Sequence, residues 1–346
     1  MVRSNSAQLR AVVAGLGVMG SNHCRVLSSL VGVELAAAVD PDTNRRAAVA
    51  ETHPAVRTHA SLEQALATED LDIACIATPV DSLAESTLQA LRGGLHVLVE
   101  KPTARTEQDA LAMAQEADER QLVLGVGHVE RFNPAVMLLK TKLEDDMIGR
   151  VLQMHARRLS PFPNRASMMG VGLDLATHDI DVMRYLSGSE VSRVYAETAQ
   201  RVHDTAEDLL CATLRFDNDS TGLLEVNWIT PAKVRELSVT GERGMFVLNY
   251  LTQELLFYEH PTKGTEWDAL SGIRGGGEGD MIRFALERRE PLRVEWEKFL
   301  QAVRDGSPPP VSVYDGLAAL STATAIQRAG AQHEVLAPGY RETPVA

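Results

Sequence analysis

Lys101 carries a side chain suited to proton transfer, and the sequence predicts that it lies at the end of a strand. The apolar run from His96 to Val99 predicts that strand, and Glu100, Lys101 and Pro102 follow it directly. Because proline cannot extend the hydrogen-bond ladder and restricts the residue before it, Lys101 is expected to be extended. A desolvated lysine in a crevice exchanges protons with a substrate hydroxyl, whereas an ordinary lysine is a solvated surface charge.

Asp174 and His178 form a second group with acid-base chemistry. They lie in the run from Leu173 to Leu186, which predicts a helix, and their spacing places both on one face. Imidazole titrates near neutrality, and the carboxylate can orient it or accept a hydrogen bond from a sugar hydroxyl. The alternative for this motif alone is a solvated helix face. A metal site that adds Asp181 is disfavoured, because no His or Cys cluster supports it, and we predict no metal.

A glycine-rich segment predicts that the chain binds a dinucleotide. Gly15, Gly17 and Gly20 follow the first predicted strand, and Val18 and Met19 open the first helix. The first glycine permits a tight turn, and the second lets a pyrophosphate approach the backbone. The third lets the helix pack on the strand, and the free amides of the helix then face the phosphate.

Asp40 and the end of the fourth strand extend this predicted cofactor site. Asp40 ends the second strand about 20 residues after the last glycine, where a carboxylate accepts hydrogen bonds from the adenosine ribose. The same carboxylate repels a 2′-phosphate, so NAD is favoured over NADP, although Arg45 and Arg46 would bind such a phosphate if their loop turned inward. Thr78 and Pro79 lie on the ligand-binding rim, unless the proline merely ends the strand.

Two element patterns divide the chain and give the fold class α/β. In residues 1–128, short apolar runs alternate with amphipathic stretches, which predicts a Rossmann domain with a doubly wound parallel sheet. In residues 129–346, strand-like runs follow one another with tight turns between them, which predicts an α+β domain with a large open, mostly antiparallel sheet. The strands predicted for the first domain are Arg10 to Ala14, Glu34 to Val39, Ile73 to Ala77, His96 to Val99 and Leu122 to Gly125.

The composition excludes several classes of protein. The chain has 346 residues, of which 45% are hydrophobic, and its formal net charge is −13. This acidic balance argues against a reader of nucleic-acid phosphates, and no apolar run approaches the roughly 20 residues that cross a bilayer. The amino terminus is polar, and the three cysteines show no paired spacing. We therefore predict a cytoplasmic protein without nucleic-acid or membrane partners.

In their order and separations, these motifs resemble the glucose-fructose oxidoreductase/inositol dehydrogenase/rhizopine-catabolism protein (Gfo/Idh/MocA) family. The resemblance implies a Rossmann domain, an open-faced α/β domain, and redox chemistry on sugars, inositols and related hydroxy compounds with NAD or NADP. It also implies catalytic roles for Lys101, Asp174 and His178, a place for both Glu100 and Lys101 beside the cofactor, and a cis peptide bond before Pro102. The residues that carry it are Gly15 to Gly20, Asp40, Glu100-Lys101-Pro102, Gly127-His128, Asp174 and His178.

Three further runs are similar to the UDP-N-acetylglucosamine 3-dehydrogenase-like branch of that family. They are Gly127 to Pro134, Arg157 to Pro163, and Glu225 to Trp228. A nucleotide-sugar substrate brings a diphosphate, for which arginines are bidentate donors. The alternative is structural, since alternation along a strand puts neighbouring arginines on opposite faces. The substrate-binding residues implied are Lys101, His128, Arg131, Arg157, Arg165, Asp174 and His178, with Arg158 as a further donor.

The resemblance implies hydride transfer between a secondary alcohol of a sugar and the nicotinamide, with UDP-N-acetylglucosamine oxidised at C3. One alternative is an inositol or free-sugar dehydrogenase, and another is a ligand-sensing regulator of the same fold that does no chemistry. The joint presence of Lys101, Asp174 and His178 argues against the regulator, and either Lys101 or His178 serves as the base. We also expect a homodimer or homotetramer through the free face of the second domain's sheet.

Overall fold

The computed structural model describes residues 8–163, 169–260 and 279–340. Arg165 lies outside these ranges. The chain divides into two compact units. The first unit contains the described part of residues 1–129 together with Glu290–Leu320, and the second contains the described parts of Glu130–Arg289 and Ser321–Thr343.

The helices and strands alternate regularly up to β6 and less regularly afterwards. The strands are β1 (Leu9–Ala14), β2 (Val33–Val39), β3 (Arg57–His59), β4 (Ile73–Ile76), β5 (His96–Glu100), β6 (Leu124–Gly127), β7 (Val151–Leu159), β8 (Val191–Ala199), β9 (Leu209–Phe216), β10 (Thr221–Asn227), β11 (Val234–Gly241), β12 (Gly244–Asn249), β13 (Glu254–Glu259) and β14 (Met281–Arg283). The α-helices are α1 (Val18–Leu27), α2 (Thr43–Thr52), α3 (Leu62–Thr68), α4 (Val80–Arg92), α5 (Glu107–Arg120), α6 (Pro134–Glu144), α7 (Thr177–Ser187), α8 (Pro291–Asp305) and α9 (Val313–Gln332), with a 3₁₀ turn at Val129–Phe132 and a π-helical turn at Gly172–Ala176.

Side-chain caps mark where several of these helices begin. The Thr106 hydroxyl accepts a hydrogen bond from the backbone N–H of Asp109 and starts α5. The Asn133 side chain accepts one from Ala135, and Pro134 occupies the first turn of α6, where its missing N–H costs nothing. The sequence therefore encodes the starts of these helices locally.

A six-stranded parallel sheet forms the centre of the first unit, as predicted. Its strand order is β3-β2-β1-β4-β5-β6. The chain runs outward from β1 in one direction to β3 and then crosses to β4 on the other side of β1. In open α/β sheets, ligands bind at the carboxyl ends of the strands beside such a reversal.

Helix α8 belongs to the first unit, whereas the sequence analysis assigned all of residues 129–346 to the second domain. Trp296 and Phe299 are fully buried in the same core cluster as Val13, Leu27 and Leu98. The helix returns to the first unit because its large apolar side chains pack against α1 and the sheet. A division at residue 129 alone misses this return, since α8 is distant in sequence from the strands that it covers.

An eight-stranded sheet forms the centre of the second unit and is mostly antiparallel, as predicted. Its strand order is β14-β13-β12-β11-β7-β10-β9-β8, and only the pair β7 and β10 is parallel among the pairs described. Helices α6 and α7 pack on one face of this sheet. In the described ranges, no helix combines the length and apolar character needed to span a membrane.

Candidate active site

The glycine-rich turn of the first unit has the shape that a dinucleotide requires. Gly15 has φ +89°, and a Cβ atom on it would overlap the carbonyl group of Ala77. A Cβ atom on Gly20 would overlap the carbonyl oxygen of Gly15, so helix α1 packs closely on the turn. In contrast, no atom lies within 4 Å of a Cβ atom built on Gly17. The space beside Gly17 therefore fits the approach of a pyrophosphate.

Helix α1 begins at this turn with its amides available to an anion. Gly17 is the N-cap residue and makes no side-chain cap, while Val18 and Met19 in the first turn are 58% and 37% exposed. The first amides of a helix have no partner within the helix and carry the positive end of its dipole. These backbone N–H groups at the start of α1 are therefore suitable donors to the phosphates of NAD.

Asp40 lies against the same turn at the end of β2. Its Oδ2 accepts a hydrogen bond from the backbone N–H of Leu16 at 2.8 Å, and Arg45 Nη1 lies 3.4 Å from that oxygen. Arg46 donates instead to the backbone oxygens of Asp40 and Pro41. The carboxylate is therefore fixed beside the glycines. Both arginines contact groups at the end of β2, so in this arrangement they are not directed to a 2′-phosphate.

Thr78 and Pro79 follow β4 at the carboxyl edge of the sheet. Pro79 is the N-cap residue of α4, so the alternative in which this proline merely ends the strand also accounts for its position. The Thr78 hydroxyl is buried, and no residue of the described ranges forms a hydrogen bond with it. A buried hydroxyl of this kind needs a partner, and a cofactor at this edge would supply one.

Lys101 follows β5 at the same edge. The Lys101-Pro102 peptide bond is cis, as the family resemblance implied. The Glu100 carboxylate is buried and accepts the backbone N–H of Lys101 through Oε2 at 3.1 Å. His128 is also buried and follows Gly127, which pairs with Glu100 in the sheet register. The first unit thus brings Glu100, Lys101 and His128 to the ends of two neighbouring strands.

Asp174 and His178 lie in the second unit on two different kinds of helix. The predicted helix is present, but it contains a π-helical turn, so Asp174 belongs to that turn and His178 to the first turn of α7. Single π turns inserted before α-helices occur frequently at functional sites. The turn changes the direction of the side chains that precede α7, which a regular 3.6-residue period does not anticipate.

Glu207 fixes the start of the π-helical turn. Its Oε1 accepts hydrogen bonds from the backbone N–H of Gly172 at 3.1 Å and from Gln327 Nε2 at 2.7 Å. A Cβ atom on Gly170 would overlap the Glu207 carboxylate, and one on Gly172 would lie 2.9 Å from it. Sequence reasoning did not single out Glu207, and the two glycines before Asp174 were the signal available.

Arg131, an expected diphosphate donor, takes part in a buried ion pair. Its Nε and Nη2 donate to Oδ2 and Oδ1 of Asp181 at 2.8 and 2.6 Å. Both side chains are buried. Since the bidentate geometry is already used, Arg131 supports the helix that carries His178.

Arg158 forms a second buried ion pair with helix α7, through Asp179. Its Nε and Nη2 donate to the carboxylate of Asp179 at 2.6 and 3.0 Å, and its Nη1 donates to Glu130 at 3.0 Å. Burial lowers the pKa of the Arg158 guanidinium, but the charges of Asp179 and Glu130 outweigh burial and raise that pKa above its ordinary value. The expected donor to a diphosphate is therefore held within the unit.

Arg157, another expected diphosphate donor, points to the other face of the sheet. Its Nε donates to Glu225 at 2.9 Å, and its Nη1 lies 3.6 Å from Glu236. The alternation of side chains along β7 separates Arg157 from the helix that Arg158 contacts. Arg165 lies outside the described residues.

Both parts of the chain match models of one enzyme family. Residues 9–128 match the model of an oxidoreductase family with an NAD-binding Rossmann fold, and residues 136–247 match the GFO/IDH/MocA C-terminal domain.

Curated relatives resemble the chain over most of its length. The UDP-N-acetylglucosamine 3-dehydrogenase of Acidithiobacillus ferrooxidans is 28% identical over 300 residues, which cover 87% of this chain and 90% of that enzyme. Inositol 2-dehydrogenase 1 of Saccharopolyspora erythraea is 28% identical over 332 residues, which cover 93% and 94%.

Solved structures share the fold of this chain. The structure of the Acidithiobacillus ferrooxidans enzyme gives a TM-score of 0.83 at 26% identity and covers 93% of this chain and 97% of its own. The levoglucosan dehydrogenase complex with NADH and levoglucosan gives a TM-score of 0.84 at 22% identity and covers 96% and 100%, a likeness of fold alone.

Proposed function

The chain belongs to the Gfo/Idh/MocA family of NAD-binding oxidoreductases, and from that premise we propose that it oxidises a nucleotide sugar, UDP-N-acetylglucosamine, at C3. Its relatives are dehydrogenases of sugars and inositols, so a secondary alcohol is the reacting group. The observation that carries the choice of substrate is the similarity of both sequence and fold to one UDP-N-acetylglucosamine 3-dehydrogenase across nearly the whole chain.

In the proposed reaction, the protein's own side chains stabilise charge and transfer a proton. NAD, when bound, supplies the hydride acceptor. The Lys101 ammonium would stabilise the alkoxide that develops as the hydroxyl loses its proton, and His178, oriented by Asp174, would take that proton. The reverse assignment makes Lys101 the base. Gly17, the first amides of α1, Asp40 and Thr78 would hold the cofactor.

An inositol dehydrogenase is the second candidate, and two observations favour it. The inositol enzyme of Saccharopolyspora erythraea is as similar as the nucleotide-sugar enzyme, and its match covers more of the chain. Moreover, Arg131 and Arg158 are committed to buried carboxylates, so a diphosphate would need other donors.

A substrate panel separates the candidates. With NAD, we expect NADH to form with UDP-N-acetylglucosamine but not with free N-acetylglucosamine or myo-inositol, and to form more slowly with NADP because Asp40 repels its 2′-phosphate. The measurement is the absorbance of the reduced cofactor. Turnover of myo-inositol without turnover of the nucleotide sugar would establish the second candidate. Tight NADH binding with no turnover across the panel would support a sensor instead.

We also propose that the chain assembles as a homodimer or homotetramer through the open face of the eight-stranded sheet, the face opposite α6 and α7. Leu223, Val247 and Leu256 are half-buried on this face, and Val247 and Leu256 are cross-strand neighbours. An apolar patch of this kind on a sheet is a common association surface. Light scattering should give a dimer or tetramer at micromolar concentration, and Val247→Asp should give monomers. A monomeric unmodified chain would contradict the proposal.

A further inference from the structure

A buried chain of hydrogen bonds links helix α8 to Lys101 within the first unit. Trp296 Nε1–H donates to His23 Nδ1 at 2.8 Å, and His23 Nε2 lies 2.9 Å from Glu100 Oε1. The other oxygen of Glu100 accepts the backbone N–H of Lys101. Trp296 and His23 are completely buried, and Glu100 is 7% exposed. Because these side chains are buried, solvent does not compete for their hydrogen bonds, and each bond constrains the next.

The donor chemistry of indole fixes the protonation of His23. The Trp296 Nε1–H group only donates, so His23 Nδ1 must accept and carries no proton. The single ring proton therefore lies on Nε2 and is donated to Glu100. A second proton on Nδ1 would set two N–H groups against each other in a fully buried site. Trp296 thus holds His23 in one neutral tautomer.

Glu100 accepts at both oxygens, which is the pattern of an ionised carboxylate. Its side chain also lies against the backbone of β6, since a Cβ atom on Gly127 would come within 3.3 Å of the Glu100 carboxyl group. The negative charge is therefore held in place by His23, the Lys101 amide and the glycine beside it.

Three other titratable groups lie near these hydrogen bonds, and burial favours the neutral form of each. Burial, and then the charge of Glu100, raise the pKa of Glu295 well above its ordinary value, which favours the protonated carboxyl group. Burial raises the pKa of the Cys24 thiol to about 12. Burial, and then the charge of Glu100, raise the pKa of the Cys75 thiol well above its ordinary value. Among these buried neighbours, Glu100 carries the negative charge.

We infer that Trp296 and His23 are positioning residues: Trp296 keeps His23 as a neutral donor, and this donor holds the Glu100 carboxylate where it also accepts the Lys101 backbone N–H. A charged His23 would form an ion pair with Glu100 and draw its carboxylate away from Lys101. The inference rests on the proposed catalytic role of Lys101, but the state of His23 is measurable without any turnover.

Histidine NMR tests the tautomer directly. In the unmodified protein, ¹⁵N shifts should show His23 with its single ring proton on Nε2 and none on Nδ1. In Trp296→Phe, His23 should become protonated as the pH falls, and the Lys101 amide shift should follow with the same midpoint. A proton on His23 Nδ1 in the unmodified protein would overturn the inference, even if Trp296→Phe fails to fold.

The pH profile of kcat tests the consequence for Lys101. For Trp296→Phe, we expect a new acidic limb with the NMR midpoint, about a tenfold loss of kcat one pH unit below it, and little change in the KM for NAD. Adding His23→Gln should remove the limb, because an amide N–H donates to Glu100 without titrating.

Glu295→Gln, in the residue next to Trp296, is the matched control. It replaces a carboxyl group whose pKa is raised by burial with an uncharged amide of similar shape and should keep the unmodified profile. A Trp296→Phe enzyme in which His23 titrates without a new limb in kcat or a shift of the Lys101 amide would overturn the link to Lys101. Failure of every substrate would instead count against the proposed function, since the NMR result stands apart from turnover.

Discussion

Lys101→Met is expected to lower kcat by about 10²–10⁴-fold while leaving NADH affinity nearly unchanged. Methionine keeps the length of the apolar stem, and the hydrogen bond from the residue 101 amide to Glu100 does not use the side chain. The variant therefore removes only the ammonium group. Steady-state turnover gives kcat, and cofactor fluorescence gives the affinity of NADH.

Two further variants separate charge from proton exchange at Lys101. Lys101→Arg keeps a positive charge that does not deprotonate near neutrality, so partial activity would assign alkoxide stabilisation to Lys101 and the base to His178. Lys298→Met removes an exposed lysine of the same unit and should behave as the unmodified enzyme. Near-normal kcat for Lys101→Met would refute its catalytic role.

Arg158→Met should lower the free energy of unfolding by about 3–5 kcal/mol, because it leaves the carboxylate of Asp179 buried without its partner. The Arg158 guanidinium is 5% exposed and the Asp179 carboxylate 1%. Solvent therefore cannot replace the lost hydrogen bonds. Denaturant unfolding measures the difference, and kcat should also fall because Asp179 adjoins His178 on α7.

The next residue of the same strand provides the matched control. Arg157→Met removes an ion pair in which Arg157 and Glu225 are 42% and 38% exposed, so it should change stability by about 0–1 kcal/mol. The double variant Arg158→Met, Asp179→Leu should recover much of the lost stability, because both charges are removed from the interior. Equal losses of unfolding free energy for Arg157→Met and Arg158→Met would show that the buried ion pair contributes no more to stability than the exposed one.

The cofactor turn could be predicted because its chemistry is local. Gly15 has a positive φ, and a Cβ atom on Gly20 would overlap the Gly15 carbonyl oxygen, so both requirements arise within the turn. The cap of α5 by Thr106 and the start of α6 at Asn133 are local for the same reason. Short strands give weaker patterns, and the three residues of β3 were not predicted.

The roles of the arginines could not be predicted because they depend on distant partners. The sequence shows that Arg131 and Arg158 have donors suited to a diphosphate, but not where those donors point. Asp181 lies 50 residues from Arg131, and Asp179 lies 21 residues from Arg158. The fold brings each pair together and excludes water, and the guanidinium groups are then used within the protein.

By itself, the sequence determined the family, the parallel and antiparallel sheets, the dinucleotide turn and the residue types that carry acid-base chemistry. Tertiary structure alone decided which of those side chains are paired, where the helix before His178 becomes a π turn, and which tautomer His23 adopts beside Trp296, 273 residues away. The physical reason is that turns and periodicity depend on neighbouring residues, whereas burial and charge pairing depend on which distant strands and helices meet.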